Sequence, residues 1–118
     1  SMIGGVVMLY ILDDNTIRIT RGDTAKLTIS IRNDLNSSDY IIGEHDTLVL
    51  TVKKSVKDPT FCFQKTIQGS NVFNIKPTDT NTLDFGKYKY DVQLTTESEE
   101  VYTIIEPSVF EILQEVTY

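Results

Sequence analysis

The chain has one cysteine (Cys62), one histidine (His45) and no tryptophan. A single thiol excludes an intramolecular disulfide framework, and one His with one Cys excludes a zinc site built from several such ligands. Most nucleophilic and acid–base machinery is excluded with them. Alanine, the strongest helix former, occurs once, at Ala25. The apolar run that opens the chain stops at Asp13 and has neither a basic leader nor a small-residue cleavage site, so it is read as neither a signal peptide nor a membrane span. Ser1 reads as a non-native residue, with Met2 or Met8 as the natural start. What is present is β-branched: 10 Val, 13 Ile and 15 Thr make 38 of 118 residues, a strand composition. A chain of this length buries enough surface to fold alone, and residues 1–118 are read as one domain. Within it, residues 1–8 and 114–118 are read as flexible ends or as segments available to a partner.

Positive charge is also scarce, with 11 Lys/Arg against 17 Asp/Glu, a net charge of −6 and a pI near 4.6. This argues against a nucleic-acid binder, which needs a basic face. Residues 97–118 contain six Glu and no Lys or Arg. They are expected to form a solvated hairpin tip and one polar face of the last strand, or a docking edge for a basic partner. Lys53, Lys54 and Lys57 form a local basic cluster. Together with Glu97, Glu99 and Glu100 they are the candidate interaction surface, the two clusters complementing each other between subunits, head to tail.

Apolar residues recur with period two rather than at helical spacing. From Lys87 to Thr95, Tyr88, Tyr90, Val92 and Leu94 share one face, while Lys87, Lys89, Asp91 and Gln93 face water. Thr24 to Arg32 places Ala25, Leu27, Ile29 and Ile31 inward, and Thr47 to Lys53 places Leu48, Leu50 and Val52 inward. Weaker strands are expected near Leu9–Leu12, Thr16–Thr20, Phe61–Ile67, Val72–Ile75, Val101–Ile105 and Ser108–Leu113. Turn chemistry separates them at Asp13-Asp14-Asn15, Arg21-Gly22-Asp23, Asn33 to Asp39, Gly43 to Asp46, Asp58-Pro59, Gln68-Gly69-Ser70 and Thr96 to Glu100. Pro107 removes a ladder donor, so the last strand is expected to bulge there or switch its pairing. A short helical turn is expected near residues 77–83, capped by Asp79-Thr80, with Leu83 entering the core. Short strands at such intervals predict an all-β antiparallel sandwich of about seven to nine strands.

The segment Asp84-Phe85-Gly86-Lys87-Tyr88-Lys89-Tyr90 resembles the Asp-x-Gly-x-Tyr-x-Cys stretch of immunoglobulin-like domains, with Tyr90 at the cysteine position. The resemblance implies a tyrosine corner at Tyr88 built from Asp84, Gly86, Tyr88 and Tyr90. It also implies that Leu48 or Leu50 fills the place of the usual core indole. A second resemblance spans roughly residues 16–113. It runs through Ile19-Thr20-Arg21-Gly22-Asp23-Thr24, then Asp46-Thr47-Leu48-Val49-Leu50-Thr51-Val52-Lys53, then Pro77-Thr78-Asp79-Thr80, then Leu83 to Val92. This order is similar to the N-terminal Ig-like domain of upper baseplate proteins from phages and prophages of Gram-positive bacteria. It implies a non-enzymatic tail or baseplate module that contacts other virion proteins or copies of itself, located in the virion or, when expressed from a prophage, in the bacterial cytoplasm.

The remaining candidates are weaker. His45, between Glu44 and Asp46, reads as a solvated loop residue rather than half of a catalytic or metal-binding pair. The Asp13-Asp14-Asn15 carboxylates read as turn formers rather than calcium ligands. Arg21-Gly22-Asp23 reads as a tight turn, not an integrin motif. Cys62 reads as a small hydrophobe, and Phe61–Ile67 as an edge strand whose inward side the pattern leaves open. The expectation is no enzyme, cofactor, metal, nucleic acid, membrane or small-molecule substrate. The alternative is a glycan-binding or adhesion module presenting Tyr10, Tyr40, Tyr102 or Tyr118.

Overall fold

A computed structural model describes residues 2–7, 10–11, 15–33 and 38–115. The Asp13-Asp14 turn, Met8, Leu9, Leu12, Asn36 of an Asn-Ser-Ser sequon, and Tyr118 lie outside them. The described residues form an all-β sandwich. One sheet has three strands in the order β1 (Met2–Val7), β4 (Ala25–Ser30), β9 (Val72–Ile75). The other has six, in the order β2 (Tyr10–Ile11), β3 (Ile17–Thr20), β11 (Val101–Leu113), β10 (Gly86–Thr95), β7 (Thr47–Lys53), β8 (Phe63–Gln68). A two-residue ribbon, β5 (Arg32–Asn33) with β6 (Ser38–Asp39), sits on the connection between the sheets. In immunoglobulin lettering β4, β7, β8, β9, β10 and β11 are B, C, C′, E, F and G, and β2–β3 is A′; β8 passes straight to β9 with no D strand between.

The expected sandwich contains one parallel pair: β3 runs parallel to β11, with Ile17 opposite Phe110 and Thr20 opposite Leu113. Residues 2–7 pair antiparallel with β4. The two expected terminal runs are one 13-residue strand, β11, which bulges rather than changing partner. Tyr90 faces Ser108 but Val92 faces Ile105, so Glu106 and Pro107 together stand against the single Asp91, and Gln93 faces Thr103, so Ile104 is a second extra residue.

Alternation explains the core. Leu27, Ile29, Leu48, Leu50, Val52, Phe73, Val92 and Phe110 have no exposed surface, and Ala25, Ile31, Tyr88, Tyr90 and Leu94 are also buried. Phe110 meets the rings of Phe63 and Tyr90 edge to face, with centroids 5.8 and 6.1 Å away. On β8, Phe63 is buried while Phe61 is exposed, because the Cys62 amide bonds Val52 O at 2.6 Å before regular pairing begins. Cys62 is half-buried against the core, and this desolvation raises its thiol pKa.

The crossover from β9 to β10 contains one helical turn, α1 (Pro77–Thr80). Asp79 Oδ2 accepts the Lys76 amide at 2.8 Å, and its carboxylate meets Lys65 Nζ of β8 at 2.6 Å, tying the turn to the larger sheet. Thr80 is fully buried, and its Oγ1 accepts the Gly22 amide at 2.9 Å. It therefore holds the β3–β4 turn rather than capping its own helix. Leu83 is half-buried against the core.

Strand directions give the sandwich two ends. The corner end gathers residues 21–24, 54–62 and 76–85. The hairpin end gathers residues 31–33, 38–46, 69–71 and 96–100.

Candidate functional site

At the corner end, Tyr88 is buried at the edge of the core and its hydroxyl donates to Asp84 O at 2.8 Å, the closure that defines a tyrosine corner. Burial raises its pKa. Gly86 starts β10 at φ +134°, where a side chain is strained. Tyr90 lies wholly inside and donates to Asn15 O at 2.6 Å, so the ring at the cysteine position ties β10 to the chain entering β3. Arg21 lies over the Phe85 ring at 4.1 Å, donates to Leu83 O at 3.3 Å and pairs with Glu115 at 3.0 Å. Three of the four segments that carry the baseplate resemblance meet here, through Gly22, Thr80, Leu83 and Phe85.

The basic cluster lies at the same end. Lys53 closes β7 directly opposite Lys89 of β10, and Lys54 and Lys57 follow in an exposed loop. Like charges face to face across a ladder cost stability. Asp91, two pairs further along, interacts with Lys53, and burial outweighs that attraction and raises its carboxyl pKa. Thr51, Lys53, Val56, Lys89, Asp91 and Pro107 line a shallow dimple on the outer sheet face. Asp58 in the same loop is engaged by Thr60, whose amide and hydroxyl both reach Oδ1 and hold the carboxyl below its ordinary value.

The acidic cluster lies at the opposite end. The β10–β11 turn closes with Thr96 N to Glu100 O at 2.8 Å and Glu99 N to Thr96 O at 2.9 Å, and Glu97, Glu99 and Glu100 are exposed. Glu99 adopts φ +67°, a left-handed conformation rare for a residue with a side chain. The turn is braced by Asp46, whose buried carboxylate takes Tyr40 Oη at 2.5 Å, the Gly43 amide at 2.9 Å and the Glu97 amide at 3.3 Å. Bonding to Tyr40, then to Gly43, holds the Asp46 carboxyl low. The same contact pushes the Tyr40 hydroxyl up to about 12. Next to this brace, Ile41 is 85% exposed.

The structure separates what sequence order grouped. Of the six glutamates in residues 97–118, Glu111 and Glu115 are paired with Arg18 and Arg21. Glu97, Glu99 and Glu100 instead join Asp39 and Glu44, which come from the 31–46 connection. Lys87 and Lys89 strengthen the basic end; their Lys-x-Lys spacing ahead of Asp91 was the available signal. His45 is exposed in the 43–46 turn. Tyr102 is exposed, Tyr40 is engaged by Asp46, and nothing is described for the side chain of Tyr10 or for Tyr118. Among the described residues, no three His, Cys, Asp or Glu side chains gather into a metal-sized group. Comparison with protein-family models, curated proteins and solved structures found no match to this chain.

Proposed function

We propose that this protein is a non-enzymatic structural module of a phage or prophage tail or baseplate, acting through protein–protein contacts. The observation that carries the reading is the motif order of residues 16–113, whose Arg21-Gly22, Pro77–Thr80 and Leu83–Tyr90 segments form one hydrogen-bonded knot at the corner end. A rigid knot of this kind suits a part that must hold one shape within an assembly. Support also comes from Ile41, which is 85% exposed beside Val101 and Tyr102 at the hairpin end. The test is negative-stain microscopy of particles induced from the host strain, with labelled antibody against this protein and with its gene deleted. Antibody on tails and incomplete tails after deletion are expected. Unlabelled particles that assemble normally without the protein would overturn the reading.

A further inference from the structure

The six exposed large apolar side chains among the described residues divide between the ends. Ile41, Val101 and Tyr102, exposed by 85, 58 and 48%, belong to the hairpin end. Val56, Phe61 and Phe85, exposed by 57, 53 and 44%, belong to the corner end. Charge separates more locally. Segments 31–33, 38–46, 69–71 and 96–100 carry six Asp/Glu and a single Lys/Arg, Arg32. The corner-end turns are balanced, with Arg21, Lys54, Lys57 and Lys76 against Asp23, Asp58, Asp79 and Asp84, but the dimple and its adjoining loop bring together Lys53, Lys54, Lys57 and Lys89 against Asp58 and Asp91.

We propose that the chain associates with itself head to tail, the acidic hairpin end of one copy seated on the basic dimple and loop of the next. Ile41, Val101 and Tyr102 lie at a predominantly acidic end, Val56 and Phe61 beside a predominantly basic cluster, and the two are complementary. The ends cannot neutralise each other within one molecule. Thr47 and Lys53 mark the two ends of β7 and are six residues apart, about 20 Å at the usual strand rise. That exceeds the roughly 8 Å over which charges act at physiological salt. The contact joins two different patches, so it repeats into a ring or a filament. Glu99 fits this use, because it holds a carboxylate at a turn position that glycine would fill without strain. Ile41 is the apolar anchor and the Val56–Pro107 dimple its seat.

The test is sedimentation velocity on the full chain from micromolar to near-millimolar concentration. The expected result is a sedimentation coefficient that rises with concentration, with association weakening by about 10-fold or more as salt is raised to about 1 M, where screening falls to roughly 3 Å. Two triple variants are then compared, K53E/K54E/K57E and E97K/E99K/E100K, with circular dichroism and thermal melting to establish that each is folded. Each alone is expected to stay monomeric where the parent associates, and an equimolar mixture to associate again, because opposite charges are restored across the contact. I41D, which leaves the clamp side chains in place, is expected to weaken the parent's association. A monomeric parent, association indifferent to both triple variants, or a mixture no better than its components would overturn the proposal. None of these outcomes bears on the tail reading, which antibody labelling and gene deletion test separately.

Discussion

Replacing Asp46 tests whether the hairpin end is held by one carboxylate. The residue is 6% exposed and accepts three donors from two segments: Tyr40 and Gly43 of its own connection and the β10–β11 turn at Glu97. In Asp46→Ala, the Tyr40 hydroxyl and the Gly43 and Glu97 amides are left part-buried without their acceptor, at about 1 kcal/mol or more each. The expected loss is about 3 kcal/mol by urea denaturation at neutral pH. Asp46→Asn keeps the shape and one acceptor and is expected to lose about 1–2 kcal/mol. Tyr40→Phe is expected to lose about 1 kcal/mol, with a Tyr40–Asp46 coupling of about 1–2 kcal/mol in a double-mutant cycle. The pH dependence follows from the same contact. The folded Asp46 carboxyl titrates below its ordinary 3.8, so its stabilisation is complete above 3.8 and is lost as pH falls through the lower folded value. The folded Tyr40 hydroxyl titrates near 12 instead of 10, so its contribution is complete below 10 and is lost as pH rises from 10 to about 12. Asp46→Asn should remove the part of the acid limb due to this residue. Zero coupling together with an unchanged acid limb would refute the clamp.

Three further outcomes follow from local geometry. Tyr88→Phe deletes the bond to Asp84 O, and the denaturation midpoint should fall by the equivalent of about 0.5–1.5 kcal/mol; no shift would count against the tyrosine corner. Gly69 has φ +67°, and a Cβ there would lie 3.1 Å from the Glu44 carbonyl oxygen. Gly69→Ala should therefore cost at least about 1 kcal/mol in thermal melting. Glu99→Gly relieves a left-handed residue and should raise stability by about 0.5–1 kcal/mol. The same change should weaken head-to-tail association, so stability and assembly move in opposite directions.

Much of the fold was legible wherever one side of a strand faces the core. The inward sets of β4, β7 and β10 are the alternating residues of those runs, because a one-residue slip would turn every buried side chain to water. Where local rules compete, the pattern left alternatives open. Phe61 and Phe63 have the spacing of one face, yet the regular ladder starts only at Phe63, so the two rings part. Ser108–Leu113 continues the strand that begins at Val101 because a bulge absorbs Pro107. The pairing of β1 and the parallel run of β3 against β11 depend on contacts made across the chain, which no local window contains. The basic cluster was readable from Lys53, Lys54 and Lys57 alone. The acidic end was only half readable, since Asp46 meets the Glu97 amide, and Asp39 and Glu44 come to the same end, through the fold and not through sequence proximity.

The parallel pairing of β3 with β11 also determines how the domain bears a mechanical load. The chain enters β3 at the hairpin end and leaves β11 at the corner end. A pull between those two points drags the strands past each other lengthwise, so their hydrogen bonds are strained together and not peeled one at a time. The force must also work against Tyr90, which is anchored on Asn15 O just before β3 begins. Traction along that line meets a clasp loaded in shear, the geometry in which a short ladder resists most.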